Sequence, residues 1–379
     1  MSSSEPEFND AREYSSLEEV MNTLLTAKGK SFRELDQTGR ALTGGNKGSL
    51  GQIIEESVLK YAINSDAAPD IHIGDTSYEL KVTPLKHIKK GKQTSAKERL
   101  VIDIINYLTL ADETDFESSK MWDKAKNIIL VYYYDDRTDK KKELRIDCKV
   151  LASYLMKYEA DDLATIKNDW HVIRDKVASG HADSLSESDT NYLAACTKGA
   201  NSKQLREAPA PAGANTATIF AKQRAFSLKT SYMTAIARKL LNRKSETVRL
   251  PIPQEQNLDE YVAAKFIPYT GKSSRDIASE LQVSAAPTAK NYNSSLAFAM
   301  LGASKSSISK IEQFSKANIS QFKSVTIYPD GLPREHMSFK AITDDQWEEW
   351  ANPQTTWEQS FVRDFFETSK FLIMVSKSP

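Results

Sequence analysis

The chain has 379 residues, 51 Lys+Arg against 51 Asp+Glu, and 40% hydrophobic side chains; this is a globular composition, too long for one ordinary core, so two domains are expected. Two cysteines, Cys148 and Cys196, exclude a disulfide framework, and there is no CxxC pair for zinc. No apolar run approaches the ~20 residues of a membrane span, and the acidic start lacks a signal-peptide core, so a reduced, cytoplasmic protein is expected.

In chain order, the first chemical feature is the Gly-rich loop at 43–48, with one cation, Lys47. It lacks the G-x-x-x-x-G-K-[ST] phosphate cradle and reads as a mobile loop able to close on a backbone phosphate. Residues 49–63 predict a helix with Leu50, Ile53, Ile54, Val58 and Tyr61 on one stripe. Glu55 falls on the border of that stripe and Glu56 points to water. Residues 69–82 predict two short strands around Gly74-Asp75. With Ile73 opposite Tyr78, Asp70 faces Lys81, and alternation puts Asp70, Glu79 and Lys81 on one face while Ile71, Ile73, Tyr78, Leu80 and Val82 enter the core. Two carboxylates beside an ammonium suit Mg²⁺, which keeps several waters and shares its remaining positions with a phosphate. The alternative is a solvent-facing hairpin with a surface ion pair.

Charge is unevenly spread. Residues 201–250 hold ten Lys/Arg against two Asp/Glu, and 81–99 hold seven against Glu98 alone. Two such segments suit a groove around an anionic polymer, or are ordinary solvated faces. The stretch 207–218 reads as a flexible connector, and a break is expected near 245–258, around Pro251 and Pro253. The two sides of that break echo each other. Gly29-Lys30-Ser31 recurs as Gly271-Lys272-Ser273, residues 49–54 as 295–300, and Phe116-Glu117-Ser118-Ser119 with its following apolar run as Trp357-Glu358-Gln359-Ser360 with 371–375. Three ordered matches imply a duplicated domain whose second copy is half complete, either degenerate or cut short.

Lys47-Gly48, Gly51-Gln52-Ile53-Ile54-Glu55, Pro69-Asp70 and Glu79-Leu80-Lys81-Val82, followed by Glu117-x-Ser119 with Lys124, then Lys198-Gly199 and Phe226-Ser227-Leu228-Lys229, together resemble the MutH family of GATC-specific DNA endonucleases over about residues 20–240. The duplication resembles the type II restriction enzymes built on a MutH-like core with a second, dead copy. The resemblance implies a mixed α/β fold with a PD-(D/E)xK restriction-endonuclease-like core and a second, smaller, degenerate MutH-like lobe. The domains are then 1–245, catalytic; 246–258, a linker; and 259–379, a non-catalytic, regulatory or structural copy. It implies Mg²⁺-dependent cleavage of double-stranded DNA at GATC, leaving 5′-phosphates. Asp70, Glu79 and Glu55 would bind metal, and Lys81 would be the catalytic lysine. Lys47, Lys124, Lys198, Gly199, Ser227 and Lys229 would contact DNA. Expected partners are DNA, a second copy (through the C-terminal domain or on two-site DNA), and a cognate adenine methyltransferase as genetic partner, with no membrane.

Departures from the family pattern are Cys196-Thr197, where the nicking member has Arg-Pro, and Ser227, where it has a methyl-sensing tyrosine; the site is then read differently, or either methylation state is tolerated. In the second copy Leu301 stands for Glu55 and Gln321 for Glu79, so that copy is not expected to cut. The alternatives are a strand-nicking mismatch-repair endonuclease at hemimethylated GATC and a non-cutting DNA-binding regulatory protein.

Overall fold

The computed structural model describes residues 13–39, 48–61, 70–88, 93–138, 142–198, 204–241, 247–253, 256–303, 307–339, 341–357 and 360–377. They form two compact units. The first draws on 1–103, 114–158 and 236–243, the second on 104–113, 159–235 and 244–379.

The first unit opens with α1 (Leu17–Leu25), α2 (Phe32–Leu35) and α3 (Ser49–Ile53). The strands follow: β1 (Ile71–Ile73), β2 (Thr76–Ile88), β3 (Gln93–Ala96) and β4 (Leu100–Ile104). After α4 (Tyr107–Asp112), which belongs to the second unit, come α5 (Lys120–Ala125), β5 (Ile128–Tyr134) and β6 (Val150–Leu155). The sheet runs β1-β2-β5-β6, with β3 also on β2. β2 and β5 are parallel, Glu79 against Ile128 and Lys81 against Leu130, while β1 and β6 run antiparallel to their neighbours. Ile128 to Tyr133 are all buried, as a central strand covered on both faces demands, and this is why β5 reads as an unbroken apolar run. Val20, Leu24, Leu50, Ile53, Ile54, Ile71, Leu80, Ile129 and Val131 close one core.

The helix expected over 49–63 is shorter. After Ile53 it widens into a π-turn at Ile54–Val58 and ends before Lys60, whose φ is +60°. The apolar stripe survives: Val58 and Tyr61 pack on the same core.

The second unit contains α6 (Ala160–Ala178), β7 (Leu193–Thr197), β8 (Leu205–Pro209), β9 (Thr218–Lys222), β10 (Arg224–Leu228) and most of α7 (Thr230–Leu240). β7 pairs antiparallel with β10, and β8 with β9. The stretch 207–218, expected to be a connector, therefore forms part of a hairpin. Gly180, at φ +84°, permits that hairpin's approach: a Cβ there would lie 2.2 Å from Pro211 N.

The remainder of this unit is α8 (Leu258–Phe266), α9 (Ser274–Glu280), α10 (Tyr292–Met300), α11 (Glu312–Lys316), β11 (Ile319–Ile327), α12 (Asp344–Ala351), α13 (Phe361–Thr368) and β12 (Lys370–Lys377), with β11 and β12 parallel. Residues 247–253, within the expected linker, lie against α6 and α11. Arg249 pairs with Glu159, Asp161 and Glu312, and Leu250 N donates to Gln313. Among the described residues no helix is long and apolar enough to cross a membrane.

Candidate active site

The β1–β2 hairpin turns on Gly74-Asp75, with Ile73 opposite Thr76, His72 opposite Ser77 and Ile71 opposite Tyr78. The expected pairing was two residues out, because a two-residue turn closes the hairpin more tightly. A slip of two leaves every side chain on its face: Ile71 and Leu80 are buried, and Ile73, Tyr78 and Val82 pack beside them. Its consequence falls on Asp70. Instead of facing Lys81, Asp70 sits just ahead of β1 and its Oδ2 accepts the Leu80 N–H at 2.7 Å.

On the other face Glu79, 6% exposed, receives the Lys81 ammonium on Oε1 at 2.5 Å. Burial raises the Glu79 pKa and Asp70 adds to the rise, while Lys81 and Lys124 draw it down. Glu55 enters from the π-turn. Such turns change the direction of side chains relative to a regular helix and recur at functional sites. Its pKa is pushed up to about 7, first by burial, then by the charges of Asp70, Glu56 and Glu79, with Lys81 opposing. Asp70, Glu79, Lys81 and Glu55 therefore share one electrostatic neighbourhood.

The arrangement is not a closed cage. Among the described residues no three His, Cys, Asp or Glu side chains converge to hold a metal, and Glu79 is partnered by an ammonium instead. The donor chemistry nevertheless fits a hard, water-retaining cation: Glu55, held protonated toward about pH 7 by burial and by its acidic neighbours, is relieved by positive charge.

Lys124 lies on α5, 12% exposed, with Nζ 3.2 Å from Asp103 Oδ1; Lys120, one turn earlier, is 3.3 Å from Asp103 Oδ2. Sequence reasoning missed Asp103. The signal was the i, i+4 pair of lysines, which puts two cations on one helix face.

Lys198 is exposed just past β7, its N–H bonded to Gln223 O. Lys47 and Gly199 lie outside the described residues. Ser227 and Lys229, expected to contact DNA, are interior, 0% and 6% exposed. Lys229 Nζ donates to Thr190 O at 2.6 Å, and burial lowers its pKa to about 8. Both side chains bond within the protein, Ser227 Oγ donating to Ala194 O. Cys196 is likewise buried in β7.

Residues 59–169, which contain Asp70, Glu79, Lys81 and Lys124, match the family described as the DNA mismatch repair enzyme MutH. Over 378 residues the chain is 34% identical to the type II restriction enzyme Sau3AI of Staphylococcus aureus, covering 96% of this chain and 73% of that one. The chain belongs to the MutH-like type II restriction enzymes. As a member of that family it is a site-specific deoxyribonuclease with a restriction-endonuclease-like fold. It is also 26% identical over 225 residues to the DNA mismatch repair protein MutH of Shewanella woodyi, covering 58% of this chain and 90% of the relative. With the MutH of Shewanella sp. (strain MR-7) the identity is 26% over 197 residues, or 52% and 80% of the two chains.

Proposed function

We propose that this restriction enzyme hydrolyses both strands of double-stranded DNA at GATC, depends on Mg²⁺ and leaves 5′-phosphate and 3′-hydroxyl ends. The observation that carries the reading is the hairpin: Asp70 and Glu79 lie beside Lys81 on one rigid two-strand frame, with Glu55 acting on the same charges.

Asp70 and Glu79 would hold the cation, with Glu55 as an additional acid to metal or water. When bound, Mg²⁺ supplies charge to the scissile phosphate and lowers the pKa of water. Lys81 exchanges Glu79 for the phosphate oxygens as negative charge accumulates on them in the in-line displacement, or orients the attacking water. Lys124, held by Asp103, and Lys47 supply positive charge to neighbouring phosphates. Lys198 donates to guanine O6 and N7 in the major groove. The C-terminal segment is non-catalytic, the protein acts in the cytoplasm beside a cognate adenine methyltransferase, and it self-associates through the C-terminal segment or on two-site DNA.

The likeness to mismatch-repair proteins favours a second reading, nicking of one strand at hemimethylated GATC. Sequencing the ends released from a defined duplex, methylated on none, one or both strands and with Mg²⁺ present or chelated, separates the two. Double-strand ends at GATC that vanish on chelation support the proposal. Nicks confined to the unmethylated strand of hemimethylated DNA support the alternative, and no cleavage of any substrate overturns both.

A further inference from the structure

At the entry to β7 the chain is held from two sides. Asn191 is fully buried, and its backbone N–H donates to Asp169 Oδ1 at 2.7 Å. The next two N–H groups, of Tyr192 and Leu193, donate to Asp169 Oδ2 at 2.6 and 3.0 Å. On the carbonyl side, Lys229 gives its ammonium to Thr190 O and its N–H to Tyr192 O. A carboxylate accepting three backbone donors ties the backbone of this corner to α6.

The Asn191 side chain points to the C-terminal segment instead. Nδ2 donates to Asp259 Oδ2 on α8 at 2.8 Å, and Oδ1 accepts from Lys370 Nζ at the first residue of β12, also at 2.8 Å. An acid and an ammonium 111 positions apart in sequence thus meet on the two ends of one amide. A carboxamide satisfies both only in one orientation, since it has a donor end and an acceptor end. A second contact lies further along the same strand pair. Arg224, opposite Thr197, donates to Ala195 O at 2.7 Å and lies 3.9 Å from Glu367, which Arg363 grips at 2.5 Å. Both contacts bear on β7 and its partner β10, and β7 leads directly into Lys198.

We propose that Asn191 is a positioning residue through which Asp259 and Lys370 set the placement of β7, so that the non-cutting C-terminal segment forms part of the apparatus that reads the DNA bases. The inference deepens the proposed function and rests on its assignment of Lys198 to base contact. A strand displaced by an ångström spoils hydrogen bonds to base edges while leaving the hydrolytic groups on β2 untouched.

The test uses the full chain with Asp259→Ala and Lys370→Met together, which leaves Asn191, Asp169 and the hairpin unchanged. Steady-state cleavage is measured on short duplexes carrying GATC or one-base variants of it, with thermal melting by circular dichroism as the check of folding. KM for GATC is expected to rise about tenfold and discrimination against one-base variants to fall about tenfold, with kcat at saturating DNA within about twofold of wild type. Lys370→Arg, which keeps the donor, is expected to retain wild-type discrimination. A folded double variant with unchanged discrimination overturns the inference, as does a loss confined to kcat. Should the double variant fail to fold, Asp259→Ala alone, at an exposed residue, is read the same way with a fall of about threefold, the size of one hydrogen bond; unchanged discrimination in it overturns the inference too. A wild-type chain that cleaves without preferring GATC overturns the base-reading assignment itself and this inference with it, an outcome visible before any variant is made.

Discussion

Two stretches of this chain build the same frame and give it different chemistry. In the first, β2 runs parallel to β5 through α5; in the second, β11 runs parallel to β12 through α13. The registers correspond: Glu79 stands against Ile128 and Lys81 against Leu130, as Gln321 stands against Phe371 and Lys323 against Ile373. The connecting helices share a cap. Ser119 donates to Phe116 O at 2.7 Å and accepts from Trp122 N at 3.1 Å; Ser360 donates to Trp357 O at 2.8 Å and accepts from Arg363 N at 3.2 Å. Upstream, Gly29 and Gly271 share φ +82°, and Ser31 and Ser273 cap the helices that follow.

The side chains part company at the chemical positions. Glu79 becomes an amide, and Glu55 becomes the fully buried Leu301. Lys323 donates to Ser338 O and lies over the Phe339 ring at 5.3 Å, so its charge serves packing. Caps and apolar runs preserve the frame, whereas catalysis needs a handful of charges that the frame itself does not require.

The sharpest way to break this comparison is to remove the charges. Asp70→Ala or Lys81→Ala is expected to lower cleavage by at least about 10²-fold while GATC binding is retained, whereas Lys323→Ala leaves cleavage within about twofold. Plasmid cut at the wild-type rate by either hairpin variant would sink the assignment.

The next effect sharpens what Glu55 adds over Leu301. Its folded pKa, about 7, lies above its ordinary value of 4.5. Between those values the folded state holds a proton that the unfolded state has released, so stability is lost as pH rises, by at most about 3 kcal/mol. A divalent cation held there, as proposed, would oppose that loss. Melting temperature is therefore expected to rise more on adding Mg²⁺ at pH 8 than at pH 5, and Glu55→Gln to flatten the metal-free dependence. An equal rise at both pH values would detach Glu55 from the cation.

The smallest effect compares the caps. Ser119→Ala and Ser360→Ala are each expected to cost about 1 kcal/mol in chemical denaturation. Only Ser119→Ala should also weaken cleavage, since α5 carries Lys124. Equal activity in the two variants would separate Lys124 from the site.

Features set by neighbours in the chain were legible. The alternation that sorts Asp70, Glu79 and Lys81 from Ile71, Leu80 and Val82 survived a wrong register because parity survives a shift of two. Two of the three echoes have matching local structure: Gly29 and Gly271 share a φ ahead of capped helices, and Ser119 and Ser360 cap helices that lead into strands of the same parallel register. Glu55 was less legible, because helical periodicity assumes a regular helix and the π-turn breaks it. The interior positions of Ser227 and Lys229 were not legible. Their burial is imposed by Thr190, Ala194 and Asp169, which are distant in sequence, and nothing in the Phe226-Ser227-Leu228-Lys229 pattern records it.

Taken alone, the order of residues determined which faces are apolar, where helices begin, and which hairpin gathers acid, acid and ammonium, since each follows from rotations of the backbone between near neighbours. Tertiary structure alone decided that Asp103 restrains Lys124 and that Asn191 joins Asp259 to Lys370. Those contacts depend on segments brought together by burial of the cores, and side-chain charge is directed only once that packing has excluded water from around it.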